Sequence, residues 1–444
     1  MNVNGNVFSM DVVGTFSTEL GMHILSFVTT IVIVRNLSTA DFGIFSLLIS
    51  FSLTLCYFST LGLPQAVVYF IGKRKEPLEK IVSLSLFLFL CIAISIATIG
   101  YAFKGYPLNS FLKELPGHYF LPLLILFFFT LLDSYLLSII RGIQNFLLFN
   151  IRRLLTSVGN LLGICFLLLF FGLSLGSVVT VFICISVAFT VWFFFKVISI
   201  TSFRLYLNWA TVKSFFTYGI KSYLQILAGH LIYQIDLYII AYLLGAKQIA
   251  FYSIAVGIAT LLWYLPNTVG VVLFPALSSE DNEKDIHIFS ALVCRHTLVT
   301  TSLGAICLAL IGKYLILLFY GAQYIRSVNA MLLILPGVVA MSIYKILTRN
   351  FSSRNRQQVS IMAATISLIV NICLNFAWIP KYGIEGAALA STVSYIFAGA
   401  LLVFKVKLDS DMPLRKLLVV NASDIRSYVE AISRFQKRYL TFGH

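Results

Sequence analysis

The sequence predicts an all-α polytopic membrane protein of about twelve transmembrane helices, and three observations carry that prediction. Of the 444 residues, 59% belong to the set AVILMFWYC and 11% are charged, whereas a soluble domain carries about 25% charged residues. The apolar residues gather into runs of about 20, the length that crosses a hydrocarbon core about 30 Å thick. The 32 Lys and Arg, against 17 Asp and Glu, sit mostly between those runs. This composition excludes an ordinary soluble enzyme, and twelve spans leave no room for a sizeable soluble domain. The net charge of +15 reads as a topology signal rather than a footprint for nucleic acid, which is not expected as a partner.

Bounded by Gly, Pro and charge clusters, the runs fall near 13–35, 42–70, 81–103, 119–140, 154–172, 178–196, 217–244, 249–275, 291–311, 325–347, 358–379 and 384–404. With the N-terminus inside, the segments 73–80, 141–153, 196–221, 284–295, 345–356 and 405–444 hold 25 of the Lys and Arg. The opposite side holds seven: Arg35, Lys104, Lys113, Lys247, Lys313, Arg326 and Lys381. That asymmetry predicts both termini in the cytoplasm. Residues 1–12 lack a basic n-region, so the first helix is expected to insert as an uncleaved anchor. The seven cysteines fall inside apolar stretches with no CxxC, which argues against a disulfide framework and against a structural metal.

The chain also repeats itself. Shifted by 207, residues 33–47 fall on 240–254, pairing Leu37 with Leu244, Phe42 with Ile249, Phe45 with Tyr252 and Ser46 with Ser253. A shift of 211 pairs Asn160 with Asn371 and Gly172 with Gly383. Six spans per half is an even number, so the halves enter the membrane in the same orientation, and parallel repeats of this kind place a substrate path between them. Chance similarity between apolar helices is the alternative. The expected organisation is an N-lobe at 1–197, a cytoplasmic interfacial linker at 198–216, a C-lobe at 217–404 and a basic cytoplasmic tail at 405–444. The linker sets Arg204 and Lys213 beside Leu205, Tyr206 and Trp209. The tail spaces Ile425, Val429, Ile432, Phe435 and Tyr439 as one helix face after Ser423, which suits the inner membrane surface.

Catalytic motifs are absent: there is no GxSxG, HExxH, Walker sequence or Gly-rich phosphate cradle, so the chain is not expected to be an enzyme or to need a bound cofactor. Ionisable groups inside spans are expensive and mark pathways. Span one carries Thr15, Glu19, His23, Ser26 and Thr30 within about 80° of one another on one helix face. Span seven carries Lys221, Gln225 and Asp236 within about 60°, with His230 about 120° from Asp236. The 207 shift superposes His23 on His230, so the expectation is that both face a shared central cavity. The alternative for each is a buried ring satisfied by a neighbouring hydroxyl. Ser367, Asn371 and Asn375 share one face of span eleven, and span twelve adds Ser391, Thr392 and Ser394. Carboxylate, amide and hydroxyl oxygens suit a small hard cation, and they equally suit hydrogen bonds between helices. Asp133 is a further carboxylate within a span. Arg141, Arg152, Arg153, Lys221, Lys345 and Arg349 line the expected cytoplasmic mouth, where they would attract a phosphate-bearing substrate as well as set topology.

The segments RNLSTADFGIFSLLISF (35–51), FSTLGLPQAVVYF (58–70), YQIDLYIIAYLLGAKQIAFYSIA (233–255) and LFPALS (273–278) resemble Wzx-type O-antigen and polysaccharide flippases. These belong to the multidrug/oligosaccharidyl-lipid/polysaccharide exporter superfamily. The resemblance implies two six-helix lobes in a MATE-like fold around a central cavity, working by alternating access. It implies a substrate too: an undecaprenyl-pyrophosphate-linked oligosaccharide flipped across the bacterial inner membrane, with polysaccharide polymerase and chain-length regulator as further partners. The substrate-cavity candidates are then Glu19, His23, Lys221, His230 and Arg141. In the related lipid II flippases a sodium site lies in the second lobe, and Asp236, Asn371, Asn375 and Thr392 stand at matching places. Asn375 replaces an acidic residue of those flippases, which removes one negative charge and leaves Na+ and H+ both open as the coupling ion. Three rivals remain: a drug exporter of the same superfamily, a membrane polysaccharide polymerase or ligase, and a structural scaffold for a polysaccharide assembly complex.

Overall fold

The computed structural model describes residues 5–73, 76–102, 114–201, 209–278, 282–410 and 412–419. Arg204, Leu205 and Tyr206 of the linker, the segment 103–113 and the tail residues from Ser423 to Tyr439 lie outside that set. Within it the chain is helical: α1 (Gly5–Asn36), α2 (Thr39–Ser59), α3 (Leu63–Gly72), α4 (Leu78–Ala102), α5 (Phe120–Gly142), α6 (Phe146–Phe170) and α7 (Leu175–Thr201) come first. They are followed by α8 (Trp209–Leu243), α9 (Ala246–Ala259), α10 (Tyr264–Ser278), α11 (Glu283–Phe319), α12 (Ser327–Ser353), α13 (Gln357–Ser410) and α14 (Leu414–Leu418). Short 3₁₀ turns at Gly117–Tyr119, Thr260–Trp263 and Ala322–Tyr324 punctuate them.

The helix ends follow local chemistry. Ser38 caps α2, its hydroxyl accepting from the Asp41 N–H at 3.1 Å and donating to the Asp41 carboxylate at 2.7 Å. Asn145 accepts from the Leu148 N–H at 3.0 Å to start α6. Inside the spans, hydroxyls donate to the carbonyl one turn back, as Thr29 does to Leu25, Ser52 to Leu48 and Ser85 to Ile81. A polar side chain is thereby satisfied without leaving its own helix, so it is tolerated in an apolar setting.

Eleven of the described helical segments are long and apolar enough to cross a membrane. One of them, α13, has 54 residues and would reach about 80 Å at 1.5 Å per residue, more than twice a hydrocarbon core. Gly383, at φ 60° and ψ −139°, breaks it into two spans. The twelve expected spans are therefore accounted for, with two corrections to their outlines. The run 42–70 is not one helix: α2 stops at Ser59, the chain turns through Leu61 (φ 47°) and Gly62 (φ 73°), and α3 restarts with only 10 residues. The run 249–275 is interrupted by the turn Thr260–Trp263.

The repeat appears in the backbone. The turn between α1 and α2 runs from Asn36 to Thr39, and that between α8 and α9 from Leu243 to Ala246, each 207 residues on. Starts of α6 and α13, at Phe146 and Gln357, differ by 211. So do two pairs of left-handed residues, Gln144 with Asn355 and Gly172 with Gly383. Positive φ outside glycine is rare, and its recurrence at one spacing answers the alternative of chance similarity.

The described chain gathers into two compact units. The first comprises Met1–Ala255, Tyr314–Val328 and Ile372–Ala387, the second Val256–Lys313, Asn329–Asn371 and Ala388–His444. In the first, α1 lies along α6, and α3, α4, α5 and α7 enclose a core that includes Leu63, Val67, Leu131, Tyr135, Ile139 and Phe193. A seam between α2 and α8 is flanked by two glycine contacts, of α2 with the start of α9 and of the α2–α3 turn with α8. A Cβ on Gly43 would stand 1.8 Å from the Ala246 carbonyl oxygen, and one on Gly62 2.0 Å from that of Gly219. In the second unit Trp263 donates its indole N–H to the Val338 carbonyl at 3.0 Å. Gly337 and Gly399 let α12 approach the second half of α13 closely, as small residues do between membrane helices.

Candidate functional site

In the first unit, the charged residues that the sequence strings along several helices form one row. Glu19 of α1 meets Arg153 of α6 at 3.3 Å. His23, one turn further along α1, lies within electrostatic reach of both. Arg153 and Arg141, the latter in the last turn of α5, both stand over the ring of Phe149, at 5.2 Å and 5.8 Å from its centroid. The turn carrying Gln144 brings Arg141 and Phe149 together across the α5–α6 corner. Tyr57 of α2 is in turn an electrostatic neighbour of Arg141.

Tyr57 stacks on His230 of α8 with ring centroids 4.2 Å apart, and His230 Nε2 is hydrogen-bonded to Thr54 Oγ1 at 2.7 Å. Further along the same seam Ser50 donates to Gln234 at 2.7 Å, and the Tyr238 hydroxyl, bonded to Thr54, donates to the Ser50 carbonyl at 3.0 Å. The structure thus sets His230 against α2, with a hydroxyl partner and an aromatic lid, while His23 belongs with Glu19 and Arg153. The backbone of Lys221 is in α8; its side chain lies outside the described residues.

The six basic residues of the expected mouth separate by surroundings. Arg152, 3% exposed, reaches into the core, with Nη2 2.9 Å from the Asp133 carboxylate and 2.8 Å from Thr190 Oγ1, and it also bonds Thr156. Asp133, whose partner the sequence leaves unassigned, therefore belongs to a structural pair. Adjacent Arg153 points the other way, to Glu19. In the second unit Lys345 Nζ lies 3.0 Å from Asn267 Oδ1 and 4.6 Å from the Trp263 ring centroid. Arg349 lies over Gly270, where a Cβ would come within 3.1 Å of its Nε.

A second polar centre surrounds Asp236, which is 1% exposed on α8. Asn375 Nδ2 donates to one carboxylate oxygen and the Tyr252 hydroxyl to the other, each at 2.7 Å. Two of the four residues that the resemblance puts in a cation site are thus in contact. The other two, Asn371 and Thr392, are buried in the second unit, where Thr392 Oγ1 donates to the Leu333 carbonyl at 2.6 Å. Tyr252 joins Asp236 from across the α8–α9 turn. No helical period spans a turn, so sequence periodicity had no means of finding it; its only mark was its place in the repeat, opposite Phe45. Among the described residues no group of three His, Cys, Asp or Glu is placed to hold a metal ion.

A family model described as "Polysaccharide biosynthesis protein" matches residues 11–280, more than half of the chain. This chain belongs to that family. It is 24% identical over 272 residues to the "Putative O-antigen transporter" of Shigella flexneri, a match that covers 60% of this chain and 64% of that protein, short of two thirds of its length. Among solved structures it resembles the lipid II flippase MurJ in an inward closed conformation, with a TM-score of 0.75 and 19% identity over 90% of this chain and 88% of that one. It also resembles an inward-facing multidrug resistance MATE transporter of the MOP superfamily, with a TM-score of 0.66 and 12% identity over 90% of this chain and 98% of that one. These likenesses establish the fold: the polysaccharide biosynthesis family member is a multi-pass membrane protein with the architecture of MOP-superfamily transporters.

Proposed function

We propose that this chain is a flippase that moves an undecaprenyl-pyrophosphate-linked oligosaccharide across the bacterial inner membrane by alternating access, with both termini cytoplasmic. The observation that carries the reading is the row His23, Glu19, Arg153, Arg141 in the first unit. Several ionisable side chains gathered on spanning helices are costly unless they face water or a polar substrate. Sugars and a diphosphate need such a row, because polar groups cannot cross hydrocarbon without partners. The isoprenoid tail has no such need and remains in lipid. Family membership and the relative described as an O-antigen transporter support a glycan as cargo. Polysaccharide polymerase and chain-length regulator are the partners that would receive it.

Asp236 is the carboxylate we assign to coupling. Carboxylate, phenol and amide groups meet there in a buried place, a donor set that suits a hard cation. Both carboxylate oxygens accept hydrogen bonds, from Tyr252 and from the Asn375 amide. Holding Na+ would require that amide to turn its oxygen inward, whereas a proton needs no such turn. The experiment is reconstitution in vesicles with a fluorescent polyprenyl-diphosphate glycan, under a sodium gradient, a proton gradient or neither. The reading expects flipping in wild type, and loss of gradient stimulation in Asp236→Asn. Equal rates in vesicles with and without protein would remove the flippase; equal stimulation of Asp236→Asn and wild type would remove the coupling role alone.

A further inference from the structure

Besides the row and Asp236 of the first unit, the molecule holds a partly buried charge group in the second, where the start of α11, the turn after α12 and the end of α13 meet. Arg356 donates to Asp409 at 2.6 Å, Lys405 Nζ stands 3.0 Å from the other carboxylate oxygen, and Arg354 lies 3.8 Å from Asp409. Arg354 also lies 3.7 Å from Glu283 and donates to Asn350 at 2.9 Å, and Asn350 in turn donates to Ser290 at 2.8 Å. His287 sits among them, within electrostatic reach of Arg354, Arg356, Asp409 and Glu283.

Two properties of this group call for an anion. Three cations face Asp409: Arg354, 4% exposed, and Arg356 and Lys405, whose side chains are 38% and 35% exposed; with Glu283, 67% exposed, as the second carboxylate, the group as a whole carries one more cation than carboxylates. Hydrogen-bonding capacity is also unfilled. Nε of Arg354, whose side chain is 4% exposed, and both ring nitrogens of His287, 2% exposed, are buried without a hydrogen-bond partner among the described residues, and Nη1 of Arg354 has only the 3.7 Å ion pair with Glu283. Buried donors are nearly always paired, so unfilled ones mark a place for something else. Ile288 and Phe289, which follow His287 on α11, and Phe404 and Leu408, which precede Lys405 and Asp409 on α13, are exposed apolar side chains.

We propose that His287, Arg354 and Arg356 seat a phosphate ester, the chemistry of an anionic phospholipid headgroup, with the exposed apolar residues lying along its acyl chains. Helix ends on the basic side of a bundle lie where anionic lipid is met. The inference rests on the cytoplasmic placement of these ends and not on what the protein transports, so it stands or falls apart from the flippase reading.

The test is native mass spectrometry of the full-length protein released from nanodiscs of equal phosphatidylglycerol and phosphatidylcholine. Wild type is expected to retain phosphatidylglycerol preferentially, and His287→Asn with Arg354→Gln to retain at least fivefold less. Lys73→Gln, at another helix end, is expected to match wild type. A second arm needs no variant: the melting temperature of wild type in phosphatidylcholine micelles, with added phosphatidylglycerol or inorganic phosphate. A rise with the lipid alone identifies a headgroup seat, and an equal rise with inorganic phosphate identifies a seat for free phosphate. Equal retention of the two lipids together with no rise in either case overturns the proposal, as does an equal loss in Lys73→Gln.

Discussion

Replacing Arg152 by Met should destabilise the first unit rather than disarm it. Arg152 is 3% exposed and the Asp133 side chain 23% exposed, with 2.9 Å between their charged atoms. Removing one member of such a pair leaves a charge stranded in an apolar core, at a typical cost of 3–5 kcal/mol. Because Asp133 retains some exposure, the lower end applies, about 3 kcal/mol, or roughly a hundredfold in the folded-to-unfolded ratio. Replacing both residues, as Arg152→Met with Asp133→Leu, removes the stranded charge and should return stability to within about 1 kcal/mol of wild type, since apolar pairs of similar volume often match buried ion pairs. The assay is the monodisperse folded fraction in detergent and its melting temperature, followed by complementation of glycan export. The single variant should fold poorly, and the double variant should fold and export. A double variant that folds as wild type but exports nothing would show that the pair acts in transport and not as a strut between α5, α6 and α7.

Three further outcomes follow from contacts. Gly43→Ala should weaken the α2–α9 approach, because its Cβ would meet the Ala246 carbonyl oxygen at 1.8 Å; overpacking of this kind costs about 1–3 kcal/mol, read as a lower melting temperature, while Gly72→Ala, where a Cβ meets nothing within 4 Å, should be neutral. Arg153→Gln should leave folding intact, since Glu19 is half-exposed and the pair surface-like, yet lower the flipping rate at least tenfold; an unchanged rate in vesicles would take Arg153 out of the substrate path. Tyr252→Phe removes one donor to Asp236, and the gradient dependence of flipping should shift while the amount of folded protein stays near wild type; an unshifted dependence would leave Tyr252 a packing residue.

The sequence made the architecture largely legible, for a physical reason. In lipid every backbone group must be satisfied within the chain, so a run of about 20 apolar residues has few fates other than a spanning helix. The repeat was legible as well, and the left-handed residues Gln144 and Asn355, 211 apart, carry it into the backbone. Contacts between helices were not legible. The break at Gly62 is set by the backbone of Gly219, more than 150 residues away, and nothing local to 42–70 records that approach. Helical periodicity correctly placed Glu19 and His23 on one face, but it had no means of naming Arg153 and Phe149 as the groups that face meets. The partners of His230, Thr54 and Tyr57, lie on α2, where they look like ordinary members of an apolar helix. Asp133 and Arg152 were each visible as charges, and only the packing of α5 on α6 makes them a pair.

The proposed movement of a lipid-linked glycan from the inner to the outer leaflet is read in the leaflet position of that glycan in cells. In a polysaccharide-producing host lacking the gene, the lipid-linked repeat unit should accumulate on the cytoplasmic face, and the wild-type gene should return it to the outer face. Accumulation that the wild-type gene fails to reverse, or no accumulation at all alongside efflux of a cationic dye, would exclude the flippase and favour a drug exporter built on the same fold.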